Sequence, residues 1–311
     1  MYYRNKNLTP SGNFSEPDTL TITPLLQLKI RSLLICLLFS TCLSNTVSAG
    51  NDPINAKIIL EKMFSEVQGI QTLRYNLYAM ERINGKCQVA RSDIKLQVSP
   101  RKVYLKNSSK KLEVLYVDGQ NDNNALVNPG KFPYFTMSLN PHKSIMRKDQ
   151  HHTIDDLGFA YIAKIILKSL PKDPKIFEKT FIYLGVIEWK GHHCYNIYSE
   201  FNDFKYVSYT SKKGETVSSI SDKFNCGEYR ILEKNPKLKA NEELKEGTII
   251  SVPNCYANKT ILYIDTSTHL PLNINIFDAE GLYESYEFTD VRINTFFLKD
   301  EFSRYFSQYY F

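Results

Sequence analysis

Residues 206–253 carry the pattern that most restricts how this chain can fold. An alternating strand at 207–210 leads to the turn Lys213-Gly214, and a helix with Thr216 as its N-cap follows. A second short helix stops at Asn235-Pro236, because proline cannot continue a helix, and a closing strand comes after it. The stretch therefore predicts a compact β-α-α-β unit.

This unit resembles the LysM domain at positions spread over its whole length. The matching residues are Tyr209, Gly214, Thr216, Ile220, Phe224, Leu232, Asn235-Pro236, Leu238, Leu244, Gly247, Ile250 and Val252-Pro253. LysM domains bind glycans that contain N-acetylglucosamine, which means peptidoglycan in bacteria and chitin elsewhere. The resemblance therefore implies that peptidoglycan or another N-acetylglucosamine polymer is the partner of this unit.

The family's sugar groove lies between the first strand-helix loop and the loop after the second helix. Carried over residue by residue, its two sides are Gly214, Glu215, Thr216 and Val217, and Asn235, Pro236, Lys237 and Leu238. Backbone N–H and C=O groups can fix the acetamide of such a sugar, while small apolar side chains cover its methyl group. Two departures in the groove are mild, with Glu215 in place of aspartate and Val217 in place of leucine. The alternative is a unit that keeps the fold and has lost the ligand.

Strands are predicted on both sides of this unit in one hairpin rhythm. Before it, alternating residues surround Asn84-Gly85, a strong hairpin signal, and a helix at 54–67 precedes them. After it, the alternation continues at 260–265 and 270–277. The remaining predicted helices are 154–170 and a short aromatic helix from Asp300 onward.

Because strands resume after the unit, the economical interpretation is an insertion, which works when the termini of the inserted domain lie close together. We predict an α+β fold with a half-open antiparallel β-sheet, or incomplete barrel, covering helices and an inserted β-α-α-β LysM domain. The sheet domain comprises residues 51–205 and 256–311, and the LysM domain comprises residues 206–255.

The chain also resembles, over most of residues 70–310, a little-studied bacterial envelope family with a periplasmic lipoprotein-carrier-like fold. The motifs that carry this resemblance are Val103-Tyr104-Leu105, Leu126-Val127-Asn128-Pro129-Gly130, Met146-Arg147-Lys148 and His151-His152-Thr153. The resemblance implies an incomplete barrel with helices over its concave face. Binding of an apolar ligand, a lipid or a lipoprotein, is implied only by analogy.

Residues 1–49 predict export. Lys29 and Arg31 precede an apolar run at 33–43, and Val47-Ser48-Ala49 satisfies the small-residue rule for signal peptidase. The run is too short for a comfortable transmembrane span. We therefore expect a signal peptide and a location in the periplasm or cell envelope of a bacterium, with an uncleaved or lipid-modified anchor as the alternative.

The charge and the motifs argue against several other functions. A formal net charge of +6, from 39 Lys+Arg against 33 Asp+Glu, does not provide the concentrated basic face of a nucleic-acid-binding protein. The doublets His151-His152 and His192-His193 lack metal-ligand spacing, since adjacent residues of a strand point to opposite faces. Asp155-Asp156 and Glu242-Glu243 show no opposed placement for glycoside hydrolysis. We therefore predict no catalytic residue, no metal site and no cofactor.

Four cysteines follow the expected signal peptide, and export would expose them to oxidation. We favour a disulfide between Cys226 and Cys255, since a small domain gains stability from a covalent link. Cys87 and Cys194 form a candidate second pair, with free buried thiols as the alternative.

Three functions agree with these patterns. The leading interpretation is a non-enzymatic envelope protein that binds peptidoglycan through its LysM domain. The second is a periplasmic carrier or chaperone for a lipid or lipoprotein, which the LysM domain only positions. The third is an enzyme, or an accessory of an enzyme, that hydrolyses the cell wall. An open apolar volume over the sheet would favour the carrier, and a filled one would favour the first interpretation.

Overall fold

The structure, a computed structural model, describes residues 54–148, 150–240 and 242–311. The predicted targeting segment at 1–49 lies outside these residues. The α-helices of the described ranges are α1 (Ala56–Gln68), α2 (Ser144–Arg147), α3 (Ala160–Ser169), α4 (Pro174–Thr180), α5 (Val217–Phe224) and α6 (Glu228–Lys234). The strands are β1 (Thr72–Ile83), β2 (Lys86–Gln97), β3 (Lys102–Asn107), β4 (Leu112–Val117), β5 (Ala125–Asn128), β6 (Met137–Leu139), β7 (Phe181–Trp189), β8 (His192–Glu200), β9 (Tyr206–Thr210), β10 (Ile249–Pro253), β11 (Lys259–Asp265), β12 (Pro271–Asp278) and β13 (Gly281–Ile293).

One large antiparallel sheet dominates the structure, with the strand order β6-β5-β4-β3-β2-β1-β13-β12-β11-β8-β7. Within the described ranges β6 and β7 are its two edges, so the sheet is open. Strand β8 pairs with β11, although residues 206–253 lie between them in the chain. Strands β9 and β10 pair separately and enclose α5 and α6 in the chain order. The predicted α+β class, with a half-open sheet and a β-α-α-β unit, is confirmed.

The main core lies where α1 and α3 cover one face of the large sheet. Helix α1 begins at Asn55, whose side chain accepts a hydrogen bond from the backbone N–H of Ile58 at 3.1 Å. The largest buried side chains that the two helices contribute are Ile59, Leu60, Met63, Ile162, Ile165 and Ile166. Each aliphatic side chain buried in this way contributes about 1.5–3 kcal/mol to folding. The helical spacing of these residues therefore fixes the helices to the sheet.

The helix predicted over 154–170 is shorter in the structure, because α3 begins only at Ala160. Gly158 has a φ of +92°, in the left-handed region that favours glycine, and a Cβ added to it would lie 2.8 Å from Leu96 Cδ2. Ile154–Asp156 forms a separate 3₁₀ turn. The close approach of the backbone to the sheet at Gly158 therefore interrupts the predicted helix.

The aromatic helix predicted from Asp300 is wrong, since the described tail consists of turns. Its aromatic side chains lie instead on the sheet face opposite the main core, where Tyr309 stacks on Tyr104 with 3.7 Å between ring centroids. Glu301 anchors the tail through an ion pair with Lys95 at 2.9 Å. Contact with the sheet therefore outweighs the local helical pattern.

The predicted disulfides are not present, because all four cysteines of the described chain are free. Cys87 lies on β2 and Cys194 on β8, and the strand order separates them by five spacings of about 4.8 Å each. A disulfide requires Cα atoms within about 7 Å. Cys226 is buried in the core of the β-α-α-β unit, whereas the thiol of Cys255 donates to the carbonyl oxygen of Ala257 at 3.5 Å. The structure therefore corrects both predicted pairs.

Candidate glycan-binding site

The candidate site lies on the β-α-α-β unit, whose own small core holds its loops in place. The buried core residues are Val217, Ile220, Cys226, Ile231, Leu244, Ile250 and Val252. Thr216 is the N-cap of α5, as predicted: its hydroxyl accepts from the backbone N–H of Ser219 at 3.2 Å, and the Ser219 hydroxyl accepts from the N–H of Thr216 at 3.0 Å. The start of the helix, and with it the end of the first loop, is therefore fixed.

The carboxylate of Glu215 organises this first loop from within. It accepts hydrogen bonds from the backbone N–H of Lys212 at 2.8 Å and from the hydroxyl of Tyr209 at 2.8 and 2.9 Å. Lys223 lies in ion-pair range at 3.4 Å. The N–H of Lys212, together with Tyr209 and Lys223, lowers the pKa of Glu215 below its usual value. Glu215 therefore shapes the loop rather than offering a free charge to a ligand.

Gly214 forms the exposed tip of the same loop. Its φ is +81°, and a Cβ added to it would meet no atom within 4 Å. Its N–H donates to the carboxylate of Glu243 at 2.9 Å, which joins this loop to the segment before β10. Glycine at such a position lets a ligand approach the backbone closely.

Asn235 fixes the second loop. Its side-chain amide donates to the carbonyl oxygens of Ile231 and Ser251, both at 2.7 Å, and accepts from the N–H of Ser251 at 3.0 Å. These bonds tie the end of α6 to β10. The next two residues, Pro236 and Lys237, are exposed.

The eight predicted groove residues thus fall into two groups. Glu215, Thr216, Val217 and Asn235 hold the loops, and Val217 is fully buried, as is expected of a core residue. Gly214, Pro236 and Lys237 present exposed surface, and Leu238 packs half-buried on the unit's core. Val217 and Leu238, from opposite sides of the predicted groove, belong to one apolar cluster. Glu215, Thr216, Val217 and Asn235 therefore have structural roles in the loops and the core, apart from any contact with a sugar.

A different surface of the unit, formed by α5 and α6, packs against the large sheet. Arg230 of α6 lies at its centre and is 1% exposed. Its guanidinium carbon lies 3.5 Å from the ring centroid of Tyr283, and its Nη1 lies 3.3 Å from the carboxylate of Asp278. A guanidinium is weakly hydrated and stacks well on aromatic rings, so it can be buried where an ammonium would not be.

Polar contacts extend this packing along both helices. The side-chain amide of Asn225 donates to the carbonyl oxygen of Ile165 at 3.1 Å and to the hydroxyl of Ser169 at 2.9 Å. Lys164 forms an ion pair with Asp222 at 2.9 Å. The unit is thus attached through α3 as well as through β12 and β13. We use the term docking face for the surface of α5 and α6 that contacts the rest of the chain.

A buried network of charged groups lies beside Arg230. The ring of His151 stacks between Tyr229 of α6 at 4.7 Å and Tyr283 of β13 at 4.2 Å. Its Nε2 faces the backbone carbonyl of Arg82 at 3.1 Å, so Nε2 carries the hydrogen, since a carbonyl only accepts. Its Nδ1 faces the carboxylate of Glu284 at 2.6 Å. His151 therefore links the docked helix to the centre of the sheet.

Glu284 collects most of the hydrogen bonds in this network. Tyr256 donates to it at 2.6 Å and Tyr286 at 3.2 Å, and His152 approaches it at 3.4 Å. Burial acts to raise the pKa of Glu284, but the charge of His152 and the hydrogen bonds of both histidines hold it well below its ordinary value. Burial acts to lower the pKa of His152, but Glu284 raises it to about 9.

A polar cavity of about 250 Å³ lies at the docking face, between α5, α6 and the segment before α3. Arg147 and Glu228 form an ion pair across it. The sequence does not indicate this cavity or its ion pair, because the residues that form them are far apart in the chain. In the sequence the doublet His151-His152 is only a weak metal signal, and the described residues contain no group of three or more His, Cys, Asp or Glu that could hold a metal ion.

Side chains fill the face of the large sheet under α3. Two small apolar cavities near α3 measure about 20 and 60 Å³. Ligand sites for small molecules are typically about 300–1,000 Å³. Within the described residues, the sheet face under α3 therefore has no cavity of that size. No helix among the described residues is long and apolar enough to cross a membrane.

Sequence comparison confirms the identity of the unit. Residues 209–253 match the sequence model of the LysM domain, so the chain contains a LysM domain, which is a binding domain. Residues 70–203 match the model of DUF1571, described as a protein of unknown function. No curated protein matches the chain.

The predicted likeness of the sheet region to lipoprotein-carrier-like proteins is found again among solved structures. The complex of MucA and MucB from Pseudomonas aeruginosa matches with 14% identity and a TM-score of 0.36, over 79% of this chain and 60% of that chain. Lipoprotein LppX from Mycobacterium tuberculosis matches with 10% identity and a TM-score of 0.35, over 78% and 97%. LprF from Mycobacterium bovis matches with 10% identity and a TM-score of 0.39, over 79% and 96%.

The match spans about three-fifths of the length of the MucB structures. At these TM-scores the likeness carries no argument about ligand or activity. The function is therefore inferred from this chain's own residues.

Arg230→Ala should lower the free energy of unfolding by about 2 kcal/mol or more, because it removes a desolvated contact between a cation and the ring of Tyr283, while Arg82 keeps Asp278 paired. Lys234→Ala is the matched control on the same helix, since Lys234 pairs with Glu280 at 3.5 Å on the exposed surface. It should cost less than about 1 kcal/mol. Urea unfolding measures both. Equal costs for the two variants would contradict the docking role of Arg230.

The network around Glu284 predicts a pH dependence of stability. The pKa of His152 rises from 6.5 to about 9 on folding. Its contribution to the free energy of unfolding is therefore complete below pH 6.5 and is lost as the pH rises through about 9. The loss is roughly 3 kcal/mol. Because folding lowers the pKa of Glu284, this residue stabilises the fold above about pH 4.5, and the stabilisation is lost on acidification.

Glu284→Gln should flatten the slope between pH 6.5 and 9, because it removes the charge that raises the pKa of His152. His142→Gln, at a histidine whose side chain is 58% exposed, is the control and should keep the slope. Urea midpoints measured across this range test the prediction. A slope that survives in Glu284→Gln would exclude this network as its source.

Proposed function

We propose that this chain is a non-enzymatic protein of the bacterial cell envelope that binds peptidoglycan, or another N-acetylglucosamine polymer, through its LysM domain. One observation carries the proposal. The domain docks through α5 and α6, while Gly214, Pro236 and Lys237 of the two loops stay exposed. Among the residues that the structure describes, none covers these loop positions, which leaves the predicted groove accessible.

The chemistry of the loops supports a neutral sugar as the ligand. The carboxylate of Glu215 and the amide of Asn235 bond within the domain, so backbone groups and small apolar surface remain for a ligand beside the exposed Lys237. An acetamido group suits such a surface, because its N–H donates one hydrogen bond, its C=O accepts one, and its methyl group can lie on the apolar part.

The sheet domain, which we assign to residues 51–205 and 256–311, would then be held at the cell wall by the LysM domain at 206–255. Export through the segment 1–49 and a location in the periplasm or envelope are parts of the same proposal. The buried docking face supports it, since a rigid attachment keeps the sheet domain in a fixed orientation to the bound glycan.

A second function, as a carrier of a lipid or lipoprotein, is favoured by one further cavity. It measures about 590 Å³ and lies between α1, α4 and β7, with Leu60, Phe64 and Phe177 in its lining. This volume falls within the range of ligand sites. Mass spectrometry of the native protein tests the carrier: a co-purified lipid that Phe177→Lys removes would support it, and a protein without lipid would count against it.

Gly214→Asn should weaken binding of N-acetylglucosamine oligomers at least tenfold, because the new side chain occupies space that the sugar needs. Asparagine tolerates the left-handed backbone of this position better than other side chains do. Isothermal titration of the full chain with chitin oligomers, together with sedimentation on purified peptidoglycan, measures the effect.

Gly247→Asn is the matched control for this variant. Gly247 has a φ of +83°, and a Cβ added to it would also meet no atom within 4 Å, but it lies outside the predicted groove. Gly247→Asn should bind the glycan as the unchanged chain does. It should lower the free energy of unfolding as much as Gly214→Asn does. Absence of binding by the unchanged chain, or equal losses in both variants, would refute the groove assignment.

A further inference from the structure

The loop at 130–135, which we call the aromatic loop, exposes three large rings that take no part in the glycan site. Phe132 is 81% exposed, Tyr134 78% and Phe135 60%. The rings of Phe132 and Tyr134 lie 6.4 Å apart in an edge-to-face arrangement. Aromatic side chains clustered in water at this density mark an interaction surface.

The aromatic loop rises from a fixed base. The N–H of Tyr134 donates to the carbonyl oxygen of Lys131 at 2.8 Å, which closes a turn. Gly130 has a φ of +58°, and a Cβ added to it would lie 2.1 Å from the carbonyl oxygen of Lys111. The loop is therefore pressed against the turn between β3 and β4, and its rings project from the sheet edge.

Three lysines lie in the aromatic loop or in the turn against which it is pressed. Lys110, Lys111 and Lys131 are exposed, and none of them forms an ion pair within the part of the chain that the structure describes. Residues 123–148 contain four Lys or Arg and no Asp or Glu. For a chain with a net charge of only +6, this is a local concentration of positive charge.

We propose that the aromatic loop, with Lys110, Lys111 and Lys131, is a docking surface for an anionic lipid bilayer. Aromatic rings favour the interface between headgroups and acyl chains. Each basic residue near an anionic leaflet strengthens binding about fivefold. A protruding tip of rings fits a deformable bilayer, whereas a protein partner would need a pocket shaped to receive them.

This surface is independent of the LysM domain and goes beyond glycan binding. A protein that carries both would span the gap between the wall and a membrane, with one site on each.

A fluorescent reporter tests the proposal at the loop itself. The chain has a single tryptophan, Trp189, so Trp189→Phe provides a silent background. In this background Phe132→Trp should shift its emission to shorter wavelength with vesicles that contain phosphatidylglycerol, and not with phosphatidylcholine alone. Since the signal arises at the loop, the apolar run at 33–43, present in every variant, cannot produce it.

Phe296→Trp in the same background is the matched control, because Phe296 is 100% exposed on another segment. Its emission should not change. Replacing Lys110, Lys111 and Lys131 by Gln should weaken vesicle binding about a hundredfold, and high salt should have a similar effect. An unchanged emission of Phe132→Trp with anionic vesicles would overturn the proposal, and so would equal shifts at positions 132 and 296.

Discussion

The position of the LysM domain depends on one buried charge. Arg230 leaves water to lie on the ring of Tyr283 and beside Asp278, and this is favourable only while the domain stays docked. A buried ion pair adds little net stability by itself, yet moving the domain away would take from Asp278 one of its two guanidinium partners, the other being Arg82. The ion pair therefore favours a single arrangement of the domain over a loosely tethered one.

This constraint separates two surfaces of one small domain. The docking face uses α5 and α6, and the predicted glycan groove uses the loops before α5 and after α6. The His151–Glu284 pair continues the docking face into the centre of the sheet, where two tyrosine hydroxyls complete the bonds of the carboxylate. Glycan binding and docking can thus occur together, which a wall-bound protein with a defined orientation requires.

The sequence could predict the LysM domain because its signals are local. Thr216 caps a helix, Asn235-Pro236 ends another, and apolar residues recur at helical spacing between them. The half-open sheet could also be predicted, since strand alternation resumes after the domain. The docking face could not be predicted: Arg230 in a seven-residue helix is a typical surface residue, and only Asp278 and Tyr283, some fifty residues further on, make it a buried one.

The incorrect predictions also have their cause in contacts between residues that are far apart in the chain. Cys87 and Cys194 both lie on strands of one sheet, but the strand order that separates them arises from pairing across the whole chain. The tail after Asp300 has a helical pattern, yet its aromatic side chains pack on Tyr104 of β3 and on Leu115 and Val117 of β4. The groove residues carried over from the family stay a prediction, and the burial of Val217 among them shows that this residue also serves the core.

Amide hydrogen exchange of the full chain, with and without N-acetylglucosamine oligomers, tests the central claim most directly. The account predicts slower exchange at 212–217 and 235–238 when glycan is bound, because the ligand covers these backbone groups. Exchange at 147–152 and 281–286 should stay the same, because the docking face remains closed. Faster exchange at the docking face on addition of glycan, or protection there in place of the two loops, would contradict it.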